Sequence, residues 1–216
     1  MDTGVLIGTG RTADVFALDD EWVLRRYRDG GDVAREAATM THLASHGYPV
    51  PRVRSASGPD LVMRRLAGPS LLDALLAGTV TPETAAALLA DLLHRLHTLP
   101  PAPPLLHLDL HPGNVMLTPE GPVVIDWRTS ERGDPALDWA MSSLILAEVA
   151  VSPAPYAEGA RAGLTALLSH ASPGPLPLPE AHRRRSADPH LDATELARLD
   201  AAVALVAGAR ISPASG

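Results

Sequence analysis

The chain's prevailing hydrophobic period changes near Gly68, and that switch restricts the folds open to it more than any other feature. Before it, apolar residues come in short runs: Val5-Leu6-Ile7, Asp14-Val15-Phe16-Ala17-Leu18 and Trp22-Val23-Leu24-Arg25-Arg26-Tyr27, with a turn at Asp19-Asp20. Such runs predict a meander of strands. Residues 32–46 break the pattern with one helix: Val33, Ala37, Met40 and Ala44 share a stripe, Asp32 suits the N-cap and Gly47 the C′ position. Two more strand-like runs follow, 52–55 and 61–63. After Gly68 the sequence turns helical, with a short helix at 70–77 and a longer one from Thr81-Pro82 to about Leu99. Val115-Met116-Leu117 and Val123-Val124-Ile125 flank Thr118-Pro119-Glu120-Gly121 and predict a small hairpin. Further helices are expected at 135–150, 155–170 and 193–208. Residues 172–191 read as a long loop, and the tail after Ala209 as frayed. The order predicts an α+β chain: a β-rich part with one helix (1–66), a linker near 64–69, and a mostly helical part carrying a hairpin (67–216).

Composition narrows the function. At 216 residues the chain suits one domain or two small lobes. With no cysteine, disulfides, thiolate metal sites and thiol nucleophiles are excluded. A net charge of −7 argues against nucleic acid as a partner. No apolar run approaches the ~18 residues of a membrane span. The start, Met1-Asp2-Thr3-Gly4, lacks the features of a signal peptide, so a cytoplasmic location is expected. All 18 basic residues are arginine, so no lysine is available to any mechanism.

Polar residues concentrate in His107-Leu108-Asp109-Leu110-His111-Pro112-Gly113-Asn114, followed twelve residues later by Asp126-Trp127 at the end of an apolar run. Asn114 opens the expected hairpin and Asp126 closes it. The two are therefore expected to converge at its mouth, where amide and carboxylate oxygens suit Mg²⁺ carrying nucleotide phosphates. Asp109 would lie beside them, able to accept a proton from an attacking hydroxyl. Phosphoryl transfer needs this combination of positioning and charge neutralisation, and the spacing is that of the kinase pattern H-x-D-x-x-x-x-N with a later metal-binding Asp.

With Val123-Val124-Ile125-Asp126-Trp127 and Gly133-Asp134-Pro135-Ala136-Leu137-Asp138, this block resembles the aminoglycoside phosphotransferase-like (choline kinase-type) family. The likeness extends upstream. Ile7–Phe16 is similar to its phosphate loop, Trp22–Arg26 to its third strand, Arg35-Glu36-Ala37 to the start of its αC helix, and Leu61–Gly68 to its hinge. The resemblance covers about residues 4–145. It implies a protein-kinase-like bilobal fold and ATP-dependent phosphorylation of a small-molecule hydroxyl. It implies Asp109 as catalytic base or hydroxyl-orienting group, and Asn114 and Asp126 as Mg²⁺ ligands. Glu36 becomes the αC partner of the phosphate-contacting residue, and Gly8 and Gly10 let the backbone approach the phosphates. His107 would be structural and Asp134 would organise its loop. The expected partners are a nucleotide and a small molecule, with the protein a monomer or weak dimer.

Two positions depart from the family pattern. Arg25 (or, in a slipped register, Arg26) stands where the family has lysine, and Leu108 stands where it usually has glycine, a position that tolerates side chains in protein kinases. Gly133-Asp134-Pro135 follows Asp126 too closely for a long activation segment, and no Ala-Pro-Glu follows, which argues against a protein kinase. The missing lysine keeps open a nucleotide-binding pseudokinase acting as a regulator. His107, Asp109 and His111 also form a His-x-Asp-x-His spacing, the basis of a rival reading as a metal-dependent hydrolase. Asp138 is open to reading as a surface charge, His94 and His97 as ordinary helix residues, and His182–Arg185 as a solvated loop.

Overall fold

The apolar runs of the first third pair as an antiparallel sheet. In the computed structural model, residues 4–10, 12–189 and 191–211 are described. β1 (Val5–Thr9), β2 (Ala13–Ala17) and β3 (Trp22–Tyr27) form the meander. α1 (Ala34–Ser45) comes next, then β4 (Val53–Ser57) and β5 (Asp60–Arg64). The sheet order β1-β2-β3-β5-β4 puts β3 in the middle. Flanked on both edges, β3 carries the buried residues Val23, Leu24, Arg25 and Tyr27. Arg25 sits opposite Val15 on one side and Leu61 on the other.

The first helix differs from expectation at its start. Val33 is the N-cap and makes no side-chain cap, while Asp32 accepts the Ala34 N–H at 2.8 Å from one position earlier. Its buried face is Val33, Glu36, Ala37, Met40 and Leu43, with Ala44 exposed. The inward stripe thus contains a carboxylate. Gly47 has φ +72 and ends the helix in the left-handed region, which glycine adopts without strain.

Beyond Gly68 the helical pattern holds. α2 (Leu71–Leu76) starts at a capping box in which Ser70 Oγ accepts the Asp73 N–H and the Asp73 carboxylate accepts the Ser70 N–H. α3 (Pro82–His97) is capped by Thr81 with Pro82 in its first turn. β6 (Leu105–Leu106), a single 3₁₀ turn (Pro112–Asn114), β7 (Val115–Thr118), β8 (Gly121–Val124) and β9 (Glu131–Arg132) follow. The chain continues as α4 (Pro135–Ala150), α5 (Ala157–His170), α6 (Leu178–Ser186), α7 (Ala193–Leu196) and α8 (Leu199–Ile211). Residues 172–191 are therefore not a plain loop. Pro179 sits in the first turn of α6, and Glu180 pairs with Arg183 and Arg184 three and four residues on, so charges that read as loop support a helix. The expected helix 193–208 is two, with Asp192 and Glu195 forming a capping box on the first. The second reaches Ile211, so Arg210 is helical rather than frayed. The rest of the expected frayed tail (212–216), the start Met1–Thr3, Arg11 of the phosphate-loop stretch and His190 lie outside the described residues.

The chain forms two compact units. One comprises the residues up to Pro69 with Val115–Ser130, the other Ser70–Asn114 with the residues from Glu131 on. The sequence-based division at 66/67 follows chain order, whereas these units are discontinuous. The β7–β8 hairpin joins the first through backbone bonds: Leu117 N–H to the Pro69 carbonyl at 2.9 Å and Val124 N–H to the Pro49 carbonyl at 2.8 Å. In the second unit α5 packs on α3 and α4. α4 is apolar nearly all round, as a buried helix should be. Among the described residues, no helix is long and apolar enough to cross a membrane.

Candidate active site

In the first unit, Arg25 is the hub. Its Nη1 donates to Glu36 Oε1 at 2.5 Å and its Nη2 to Asp126 Oδ1 at 2.7 Å. Glu36, 3% exposed, also accepts the Trp127 N–H at 3.1 Å and the Tyr27 hydroxyl. A buried carboxylate is tolerated only when paired and hydrogen-bonded, and here three donors satisfy it. Burial works against the Arg25 charge, but the Asp126 and Glu36 carboxylates outweigh it and hold its pKa above the ordinary value. Burial and the neighbouring Glu36 raise the Tyr27 phenol. Asp126 follows the end of β8 with φ +64, a backbone conformation that Asp adopts more readily than most residues. Trp127 is fully buried, meets Tyr48 edge-on at 5.6 Å and donates its indole N–H to the Val124 carbonyl. It anchors the turn that presents Asp126.

Gly8 lies where the β1–β2 register shifts, and the Gly10 N–H closes the following turn on the Ala13 carbonyl at 2.9 Å. A β-carbon at Gly8 meets nothing nearer than 3.8 Å, and at Gly10 nothing nearer than 3.4 Å. Internal packing therefore does not by itself demand glycine at either position.

In the second unit, the loop from His107 to Asn114 is built around two side chains. Asn114 Nδ2 donates to the Asp109 carbonyl at 2.9 Å and to Asp109 Oδ2 at 3.1 Å. With its nitrogen so committed, the Asn114 amide turns its oxygen away from Asp109. Behind the loop, Asp138 is fully buried and accepts three donors: Leu108 N–H at 2.7 Å, His107 N–H at 2.9 Å and His97 Nε2 at 3.0 Å. Leu108, which stands in place of glycine, has φ +65. That is why glycine suits the position, and here the buried Leu108 side chain compensates.

The histidines do not form a metal cluster. His107 Nδ1 accepts the Asp109 N–H at 3.2 Å and His111 Nδ1 accepts the Gly113 N–H at 3.1 Å. Among the described residues no three His, Asp or Glu side chains come together to hold a metal. The His-x-Asp-x-His reading is corrected for a simple reason. The triplet lies in a loop rather than on a strand, so its three side chains do not line up along one face, and His107 Nδ1 turns back to the Asp109 N–H.

Four residues read as bland have specific work. His97 and Asp138 tie α3 and α4 to the loop. His94 Nε2 lies 3.2 Å from the His170 carbonyl and its ring packs on Trp139. Arg185 of α6 is held by Glu148 through Nε and Nη2, both at 2.8 Å, and by Asp188 at 3.2 Å. Burial opposes its charge, but Glu148, with Asp109 and Asp188 contributing, holds its pKa above the ordinary value. Sequence offered one signal for Asp138, its place four residues after the Asp134 cap, and none for Arg185.

The sequence-derived site residues thus fall into two sets, Arg25, Glu36 and Asp126 in one unit and Asp109 and Asn114 in the other. Asp126 and Asn114 each offer a side-chain oxygen, the donor type that a hard cation such as Mg²⁺ takes.

A protein-kinase-like α+β fold is what these elements define, and solved structures agree with it. The chain is similar to an aminoglycoside phosphotransferase, APH(2'')-IIa, in a streptomycin–ATP ternary complex (14% identity, TM-score 0.58, 93% of this chain and 90% of that one). It is similar to a choline/ethanolamine kinase family protein from Mesorhizobium loti (18%, 0.56, 97% and 94%). A third is the amicoumacin kinase hAmiN in complex with AMP-PNP, Ca²⁺ and amicoumacin (15%, 0.51, 98% and 90%). No curated protein matches by sequence. The profile of the APH phosphotransferase enzyme family matches residues 3–106 and 99–176, and the chain belongs to that family.

Proposed function

We propose that the protein transfers the γ-phosphoryl group of ATP to a hydroxyl of a small molecule, with Asp109 as the group that orients the hydroxyl and takes its proton. The acceptor oxygen forms a bond to phosphorus as the bond from phosphorus to the β,γ-bridging oxygen breaks. ADP leaves, and the hydroxyl proton passes to Asp109. The observation that carries the reading is the Asp109–Asn114 pair. Asn114 Nδ2 donates once to the Asp109 carboxylate and once to its backbone carbonyl, which supports a carboxylate held in place, as a positioned acceptor requires. Asn114 Oδ1 and Asp126 would hold Mg²⁺, which when bound neutralises charge on the phosphate oxygens. Arg25, steadied by Glu36, would contact the phosphates, and the backbone at Gly8 and Gly10 would approach them. Two of the structural relatives named above, APH(2'')-IIa and hAmiN, are complexes with ATP and AMP-PNP, which supports a nucleotide cosubstrate.

The test is transfer of label from [γ-³²P]ATP, with Mg²⁺, to a panel of hydroxyl compounds including amino sugars and amino alcohols. Asp109→Asn is expected to lose transfer while keeping ATP-induced thermal stabilisation. Transfer at the wild-type rate in that variant removes Asp109 from the mechanism. One observation favours a second reading. Both arms of Arg25 are taken by carboxylates, one of them Asp126, which suits a regulator that binds nucleotide without turning it over. Nucleotide binding with no transfer across the panel, and no phosphate release to water, would select that reading.

A further inference from the structure

His111 is not used by the mechanism above, yet its ring is held in one pose beside Asp109. Its Nδ1 accepts the Gly113 N–H at 3.1 Å. An acceptor nitrogen carries no proton, so the neutral ring must carry its proton on Nε2. That nitrogen lies 4.0 Å from Asp109 Oδ2. This separation is too long for a hydrogen bond and suits one oxygen atom placed about 2.8 Å from both. Gly113 completes the arrangement. A β-carbon there would come within 2.8 Å of His111 Cε1 and 3.1 Å of Nδ1, so only glycine lets the ring lie against this backbone.

We infer that His111 is a catalytic residue: its Nε2–H contacts the oxygen that attacks phosphorus, while Asp109 accepts that oxygen's proton. The inference rests on the phosphotransfer reading and adds a second contact to the acceptor hydroxyl. His111 acts as a donor and not as a base, because a proton moved to Nδ1 would face the Gly113 N–H. The donor holds the acceptor oxygen at fixed distance from Asp109 and takes up charge that develops on it as the proton leaves.

Water serves as the acceptor in the test, so no substrate need be known. Phosphate release from Mg·ATP is measured for wild type, Asp109→Asn, His111→Ala, His111→Gln and Gly113→Ala. His111→Ala is expected to lower kcat about 100-fold, with KM for ATP and thermal stability unchanged. His111→Gln, whose amide N–H reaches the place of Nε2, is expected to recover most of the loss. Gly113→Ala is expected to follow His111→Ala. In ¹⁵N spectra of histidine-labelled protein, the signal absent from His111→Gln should show an unprotonated Nδ1. An unchanged kcat in His111→Ala, with Asp109→Asn inactive, overturns the role of His111 and leaves phosphotransfer standing. So does a protonated Nδ1. A wild-type protein that releases no phosphate to water or to any compound in the panel overturns the phosphotransfer reading and this inference together.

Discussion

Arg25 and Asp126, 101 residues apart in sequence, are joined by a 2.7 Å ion pair, and the same guanidinium reaches Glu36 at 2.5 Å. A planar fork spans two carboxylates in different directions, which a lysine ammonium does less well. In this chain the arginine that replaces lysine therefore ties α1 and the turn after β8 to the central strand.

Removing that fork leaves Glu36 buried with one charge partner fewer. Arg25→Met is expected to lower stability by about 3–5 kcal/mol, the cost of breaking a buried pair from one side. Arg25→Lys should cost less, since one contact survives. Urea unfolding midpoints give both values. A loss below about 1 kcal/mol in Arg25→Met would mean that the pair adds nothing to the fold.

Leu108 sets backbone strain against side-chain burial. Leu108→Ala and Leu108→Gly both remove the buried side chain and are expected to cost about 2–3 kcal/mol. With φ at +65, however, glycine should be the better replacement by about 1 kcal/mol, the reverse of the usual order. Chemical denaturation of the two variants decides this, and an alanine variant as stable as the glycine variant contradicts the strained conformation.

Asp138→Asn keeps shape but swaps one acceptor oxygen for a donor. The carboxylate accepts the Leu108 and His107 N–H groups and faces His97 Nε2, so the amide must turn a donor toward a donor. The expected cost is about 2–4 kcal/mol. Because the loop carries Asp109, transfer activity should fall even at temperatures where the variant is folded. Full activity in a folded Asp138→Asn protein would show that the loop does not depend on this anchor.

Glu180 gives a pH signature on α6. Hydrogen bonds from Arg183 and then Arg184 bring its carboxyl down to about 2 from the ordinary 4.5. A depressed native pKa stabilises the fold above the unfolded value and loses that contribution as pH falls through the native one. The stability difference between wild type and Glu180→Gln should therefore be constant from pH 5 to neutrality and shrink between about pH 4.5 and pH 2. Denaturation midpoints across that range test it, and a difference flat down to pH 2 would mean that the pairs do not form in solution.

Local chemistry made much of this protein legible before any coordinates. Thr81-Pro82 and Asp134-Pro135 mark helix starts because caps and first-turn prolines act within four residues. The short span from Asp109 to Asn114 likewise brings carboxylate and amide together within one loop. α6 escaped notice because its support is charge pairing on a proline-rich stretch with little apolar period. The burial of Asp138, the fork of Arg25 and the left-handed turn at Leu108 could be decided only in three dimensions. Each depends on donors and apolar surface supplied by segments far away in sequence. Whether a carboxylate is a solvated charge or a buried anchor is set by what packs against it, and the residue alone carries no record of that.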